Sequence, residues 1–168
     1  MTLRSATAAD FPFIRALAQR PENAPFISDE DEARLAFYAS DPAHRLLIWQ
    51  EAGRPAGFAL YAEIGDPSGR VELRRLALDQ AGGGKGLGFV QALTGYAFAD
   101  LGAKKVWLDA SGENPRAQKV YERAGYQLEG RLRQHWFRPA QGRNVDLLLY
   151  GILRDDWAAA QGAAKAGT

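Results

Sequence analysis

The stretch from Val71 to Leu101 constrains this chain most. It reads as a strand, a glycine loop and an amphipathic helix in direct succession. Five of the seven residues from Gly82 to Gly88 are glycine, so the backbone N–H groups there are unshielded by side chains. Leu87, Val90, Thr94, Ala97 and Leu101 then recur at three- and four-residue steps. Free amides, the positive end of a helix dipole and the charge of Lys85 together suit a phosphate or pyrophosphate. A flexible linker would carry the glycines but not the helix that follows them. The Walker pattern fails because Gly86, not Ser or Thr, follows Lys85. No G-x-G-x-x-G placement fits residues 82 to 88, and the G-x-S-x-G nucleophile elbow is absent.

The strand before this loop has an odd pattern. Val71 and Leu73 share one parity, while Leu76 and Leu78 share the other. Two readings fit: an extra residue at Arg74-Arg75, which is a β-bulge, or a strand buried on both faces with two snorkelling arginines.

Further along the chain the elements alternate. Thr2 to Ala6 suits a first strand, and Thr7 with Asp10 has capping-box spacing ahead of the stripe Phe11, Ile14, Leu17 and Ala18. Ser28 and Asp31 read as a second cap, with Asp29 to Glu32 in the first helical turn. That acidic run serves capping and solubility, or attraction of a cationic substrate. Strands are expected over His44 to Ala52, Ala56 to Ile64, Lys104 to Asp109, Tyr126 to Phe137 and Asn144 to Leu153. A helix is expected from Asn114 to Ala124, with Pro115 at its first position and Gly125 just past its end. Hairpin turns and helical crossovers both occur, so an α/β fold with a mixed sheet follows. Residues 1–157 form one domain, and the Ala/Gly-rich 158–168 reads as a frayed or disordered tail.

Composition removes several function classes. The 21 basic and 20 acidic side chains leave a formal charge of +1, which argues against general nucleic-acid binding. Without cysteine there are no disulfides, zinc-thiolate sites, iron–sulfur clusters or cysteine nucleophiles. His44 and His135 show no metal-ligand spacing, so no metal is expected. No apolar run reaches the roughly 20 residues of a membrane helix, and no signal peptide is evident. A cytoplasmic protein is expected.

Three segments carry a resemblance to a known family. Gly83-Gly-Lys-Gly-Leu-Gly88 resembles the R/Q-x-x-G-x-G/A motif of the GCN5-related N-acetyltransferases (GNAT). Asn114-Pro-Arg-Ala117 and Tyr121-Glu-Arg-Ala-Gly-Tyr126 resemble the family's N-x-x-A-x-x-x-Y-x-x-x-G-F/Y segment. The opening Leu3-Arg4, Ala6-Thr7 and Asp10 is similar to the start of such domains. Glu129 to Leu132 and Asp146 to Leu153 resemble the branch that acetylates protein N-termini and small amines. One departure stands out: Gly83 occupies the place of the family's arginine or glutamine.

The resemblance implies a mostly antiparallel mixed sheet, flanked by about four helices, with a V-shaped splay between two parallel strands. Acetyl-coenzyme A would lie in that V. The backbone of Leu76, Ala77 and Leu78 would meet its pantetheine arm, and Asn114 would bond the arm or an ordered water. Gly83, Gly84, Lys85, Gly86, Leu87, Gly88 and Phe89 would form the pyrophosphate cradle. Lys85, Arg116 and Lys119 are alternatives for the remaining phosphate. Acetyl would pass directly to an amine, a small molecule in preference to a protein N-terminus. Glu72, direct or through water, is the expected base, with a salt bridge to Arg74 as its other reading. Leu78 N–H would stabilise the carbonyl oxygen, and Tyr121 would protonate the leaving thiolate. Phe26, Trp49, His135, Trp136 and Phe137 are candidates for the acceptor wall. A non-catalytic acyl-coenzyme A sensor is the alternative, and a homodimer through late strands or the sheet face is compatible with the reading.

Overall fold

A computed structural model describes residues 2–166. Strand β1 (Thr2–Ser5) leads through a short 3-10 turn (Ala8–Asp10) into helix α1 (Phe11–Ala18). The capping box forms as the spacing predicts, with Thr7 N–H donating to Asp10 Oδ2 at 2.8 Å. Helix α2 (Glu32–Ser40) begins later than expected. Asp31 alone caps it, accepting from Arg34 N–H at 2.8 Å. Ser28, Asp29 and Glu30 precede the helix, and ion pairing explains why: Asp29 binds Arg15 at 3.0 Å and Glu30 binds Arg75 at 2.6 Å.

Strands β2 (Arg45–Glu51), β3 (Arg54–Ala62) and β4 (Arg70–Leu78) follow as an antiparallel meander. Helix α3 (Lys85–Ala99) crosses to β5 (Lys105–Ser111), and α4 (Pro115–Arg123) leads to the long hairpin β6 (Gln127–Arg138) and β7 (Arg143–Leu153). The sheet has seven strands in the order β1-β2-β3-β4-β5-β7-β6. Among the described residues, only β4 and β5 run parallel to each other.

The sheet is buried on both faces. Leu47 and Trp49 of β2, Val71 and Leu73 of β4, and Val106 and Leu108 of β5 pack with α3 and α4. Leu46 and Ile48 of β2, with Phe58 and Leu60 of β3, pack with α1 and α2. The two interleaved apolar sets of β2 thus serve two cores.

The odd phase of β4 resolves as a bulge. Leu60 pairs with Arg75 but Tyr61 pairs with Leu73, leaving Arg74 without a partner. The extra residue lets Leu76 and Leu78 join Val71 and Leu73 on the α3 side. Past the bulge, β4 and β5 separate. They pair only over Arg70–Glu72 with Lys105–Trp107, and then splay into a V.

Two segments depart from the sequence reading. Strand β6 is not continuous: its register slips after Leu128 and again between Leu132 and Trp136. Gln134 there takes a left-handed backbone, φ +48°, held by its N–H to Asp146 Oδ1 at 2.7 Å. Of the tail expected over 158–168, residues 167 and 168 lie outside the described residues. Helix α5 (Arg154–Ala166) covers 158–166, where alanine favours the helical state. Trp157 anchors it against Phe98, with ring centroids 5.3 Å apart. Among the described residues, no helix is long and apolar enough to cross a membrane.

Candidate active site

The V between β4 and β5 opens into a cleft of about 620 Å³. One wall is β4 from Glu72 to Leu78, and another is β5 from Asp109 to Ser111. Gly86, Phe89 and Val90 of α3 and the face of α4 from Asn114 to Tyr121 close one side. Glu22, Asn23, Phe26, Ile27 and Ser28 of the α1–α2 loop close the other, with His135 and Trp136 of β6.

The bare backbone of this cleft suits a pantetheine and pyrophosphate chain. Asp79 N–H donates to Ala56 O of β3, so alternation turns the amides of Leu78 and Leu76 away from β3, toward the V. Strand β5 has already left at that point, so these amides face the cleft without a strand partner. The splay therefore frees Leu78 N–H; the bulge lies four residues earlier. Gly82, Gly83 and Gly84 all adopt positive φ, at 118°, 56° and 81°. This left-handed run, which side chains resist, brings the chain into α3 with the N–H groups of Gly83, Gly84 and Gly86 unbonded to backbone. The position of Gly83 is one that the family's usual arginine or glutamine would occupy only under strain.

Of the residues expected from sequence, Glu72, Leu76, Ala77, Leu78, Gly86, Phe89, Asn114 and Tyr121 line the cleft. Gly83, Gly84, Lys85, Leu87, Gly88 and Lys119 lie outside its wall. Lys85 binds Glu51 at 2.9 Å, and of the three cations weighed for the remaining phosphate, Lys85, Arg116 and Lys119, it is Arg116 that lines the cleft. Asn114 caps α4 by accepting from Ala117 N–H at 3.1 Å, which leaves its side-chain amide nitrogen as a donor. Of the acceptor candidates, Phe26, His135 and Trp136 line the cleft. Trp49 instead packs in the core on Phe89, with ring centroids 5.2 Å apart, and Phe137 is 56% exposed on the β6–β7 hairpin.

Glu72 is buried and ion-paired to the bulge residue Arg74 at 2.6 Å, the salt bridge that was its other reading from sequence. Asp109 is the residue that sequence reasoning missed. Burial raises its proton affinity first, and the negative charge of Glu72 adds to that, pushing its pKa up to about 6. The charges of Arg74, His135 and Arg138 oppose this rise. Tyr121 is buried in the same wall, edge-on to Tyr150 at 5.9 Å. Burial, then the charge of Asp109, raises its phenol pKa far above the ordinary value. It keeps its proton at any physiological pH. The cleft thus holds a carboxyl that binds its proton more tightly than usual and a hydroxyl that stays protonated.

Comparisons with known proteins agree with this geometry. Residues 11–126 match the model of the acetyltransferase (GNAT) family. An uncharacterized N-acetyltransferase of Mycobacterium tuberculosis is 33% identical over 133 residues, covering 76% of this chain and 83% of that protein. A mycothiol acetyltransferase of Propionibacterium freudenreichii is 31% identical over 116 residues, covering 67% of this chain and 37% of the longer protein. The spermidine N-acetyltransferase of Vibrio cholerae, solved with coenzyme A and spermine, superposes with a TM-score of 0.83 at 23% identity, covering 94% and 97% of the two chains. A parallel pair that splays beside a glycine-led helix, together with a family match over most of the chain, makes this protein a member of the GNAT family, an acetyl-coenzyme A-dependent N-acetyltransferase.

Proposed function

We propose that the cleft transfers acetyl to the primary amine of a small molecule, with Asp109 as the base and Tyr121 as the acid. The observation that carries this reading is the position of Asp109, a carboxyl on the cleft wall where β4 and β5 part, on the same sheet face as Glu72; burial there pushes its pKa up to about 6. Acetyl-coenzyme A, when bound, supplies the acetyl group as an activated thioester.

The chain's residues divide the remaining work. The free amides of Gly83, Gly84 and Gly86 hold the pyrophosphate, helped by the N-terminal dipole of α3. Arg116 takes the remaining phosphate. Glu72 and Asp109 draw the acceptor ammonium into the cleft. Bringing a lysine-like amine of pKa about 10.4 to its neutral form at pH 7 costs roughly 4–5 kcal/mol. Asp109 accepts that proton, directly or through a water. Leu78 N–H donates to the carbonyl oxygen as negative charge grows on it. Tyr121 O–H gives its proton to the departing sulfur.

A compact acceptor fits the pinned α1–α2 loop. Arg20 donates to Asp79 O at 2.6 Å, and Arg75 binds Glu30 at 2.6 Å, holding the loop against the sheet at both ends. The mycothiol and spermidine acetyltransferase relatives support acceptors of this size class. Incubation with acetyl-coenzyme A and either spermidine, phenethylamine, glycine methyl ester or an alanyl tetrapeptide tests the reading, with released thiol measured by colour. Release with a small amine and not with the tetrapeptide is expected. Release with the tetrapeptide alone would reassign the acceptor to a protein N-terminus.

A further inference from the structure

We propose that Arg138 is a positioning residue, which clasps the acceptor wall and sets the field on Asp109. It sits at the end of β6 and is only 2% exposed. Its Nε donates to Pro25 O at 2.7 Å and its Nη2 to Ala24 O at 3.0 Å. Those carbonyls belong to the loop whose neighbouring residues Asn23, Phe26 and Ile27 line the cleft. The guanidinium also lies 3.7 Å from the centroid of the Trp136 ring, which lines the same cleft. No carboxylate among the described residues is within ion-pair distance of Arg138.

A buried cation without a contacting anion is costly unless its donors are used and its charge is opposed. The two carbonyls use the donors. Asp109 opposes the charge, since each favours the other's ionised form. The other groups facing Asp109 are Glu72 and Arg74 of β4, Tyr121 of α4 and His135 of β6. Of these, Arg74 already has Glu72 as its partner. Arg138 joins Arg74 and His135 in favouring the ionised form of Asp109, and of the three it is the one hydrogen-bonded to the loop, so its planar fork ties that effect to the loop's position.

This inference rests on the reading of Asp109 as base, but its test needs no acceptor. Hydrogen exchange over residues 20–28 and the carbon-13 titration of the Asp109 carboxyl are measured in the wild type, Arg138→Lys and Arg138→Met. Both variants are expected to speed exchange in the loop by at least about tenfold, because charge-assisted bonds to two carbonyls are lost. Exchange in α3 stays unchanged. The Asp109 midpoint rises in Arg138→Met and holds in Arg138→Lys, a contrast that mere loosening of the fold would not produce. Should Arg138→Met fail to fold, Arg138→Gln, which keeps an amide donor and loses the charge, takes its place. Unaltered loop exchange in both variants, or an unmoved Asp109 midpoint in the neutral one, would overturn the proposal. A failed transfer assay would instead sink the catalytic reading and leave the clasp intact.

Discussion

Asp109 lies two residues beyond Trp107, the partner of Glu72 at the last point where β4 and β5 pair, so both carboxyls occupy one sheet face at the mouth of the V. Burial raises the cost of ionising Asp109, and the negative charge of Glu72 adds to it. Asp109 binds its proton more tightly in the folded than in the unfolded chain, where about 3.9 is normal. Its ionisation therefore destabilises the fold progressively from about pH 4 to pH 6, and fully above that. Asp109→Asn is expected to stabilise the protein at pH 7 by about 1–3 kcal/mol. Denaturant titrations at pH 4 and pH 7 check this: the gain is confined to the higher pH.

The opposite sign holds for Asp10. Its carboxylate accepts two bonds from Arg4, each 2.7 Å, and one from Thr7 N–H. These hold its pKa down at about 2. The resulting stability is present above about pH 4 and is lost as pH falls toward 2. Asp10→Asn should cost about 1–2 kcal/mol at pH 7 and flatten that acid limb.

Tyr121 packs edge-on to Tyr150 and tilted against Tyr126. Tyr121→Phe keeps these ring contacts and removes only the hydroxyl. Turnover is expected to fall by about 10²–10³, with acetyl-coenzyme A affinity changed by less than about threefold. Unchanged turnover would remove Tyr121 as the acid.

Gly83 has open space around the position of a Cβ, yet its φ is +56°. Gly83→Ala should therefore cost only backbone strain, about 1 kcal/mol, read as a modest fall in Tm. A stability equal to wild type would mean that the loop does not hold its left-handed run in solution.

Much of this was legible in the sequence because local rules governed it. The phase slip at Arg74-Arg75 located the bulge, and the glycines ahead of Leu87 located the start of α3. Asp109 was not legible. On β5 it shares the polar phase with Lys105 and Trp107, and a carboxylate in that phase reads as a solvent face. Only the parting of β4 from β5, a relation between strands whose paired residues lie 35 positions apart, turns that face into a cleft wall. Trp49 misled for a related reason: β2 is buried on both faces, so neither of its parities opens into a pocket. His135 and Trp136, named from sequence as acceptor-wall candidates, line the cleft, but the double slip in β6 was not legible from its alternation. The loop and strand ends needed pairing information, which a single chain of letters does not contain.

The central claim is that Asp109 accepts the proton of the amine in this cleft. It is tested most directly by thiol release from acetyl-coenzyme A, with the best amine of the panel, across pH in the wild type and Asp109→Asn. Because the chain has no cysteine, the protein adds no thiol background. The account predicts a wild-type rate that rises through an acid limb near pH 6, and a loss of about 10²-fold with disappearance of that limb in Asp109→Asn. An Asp109→Asn enzyme that keeps the wild-type rate and the same limb would contradict it.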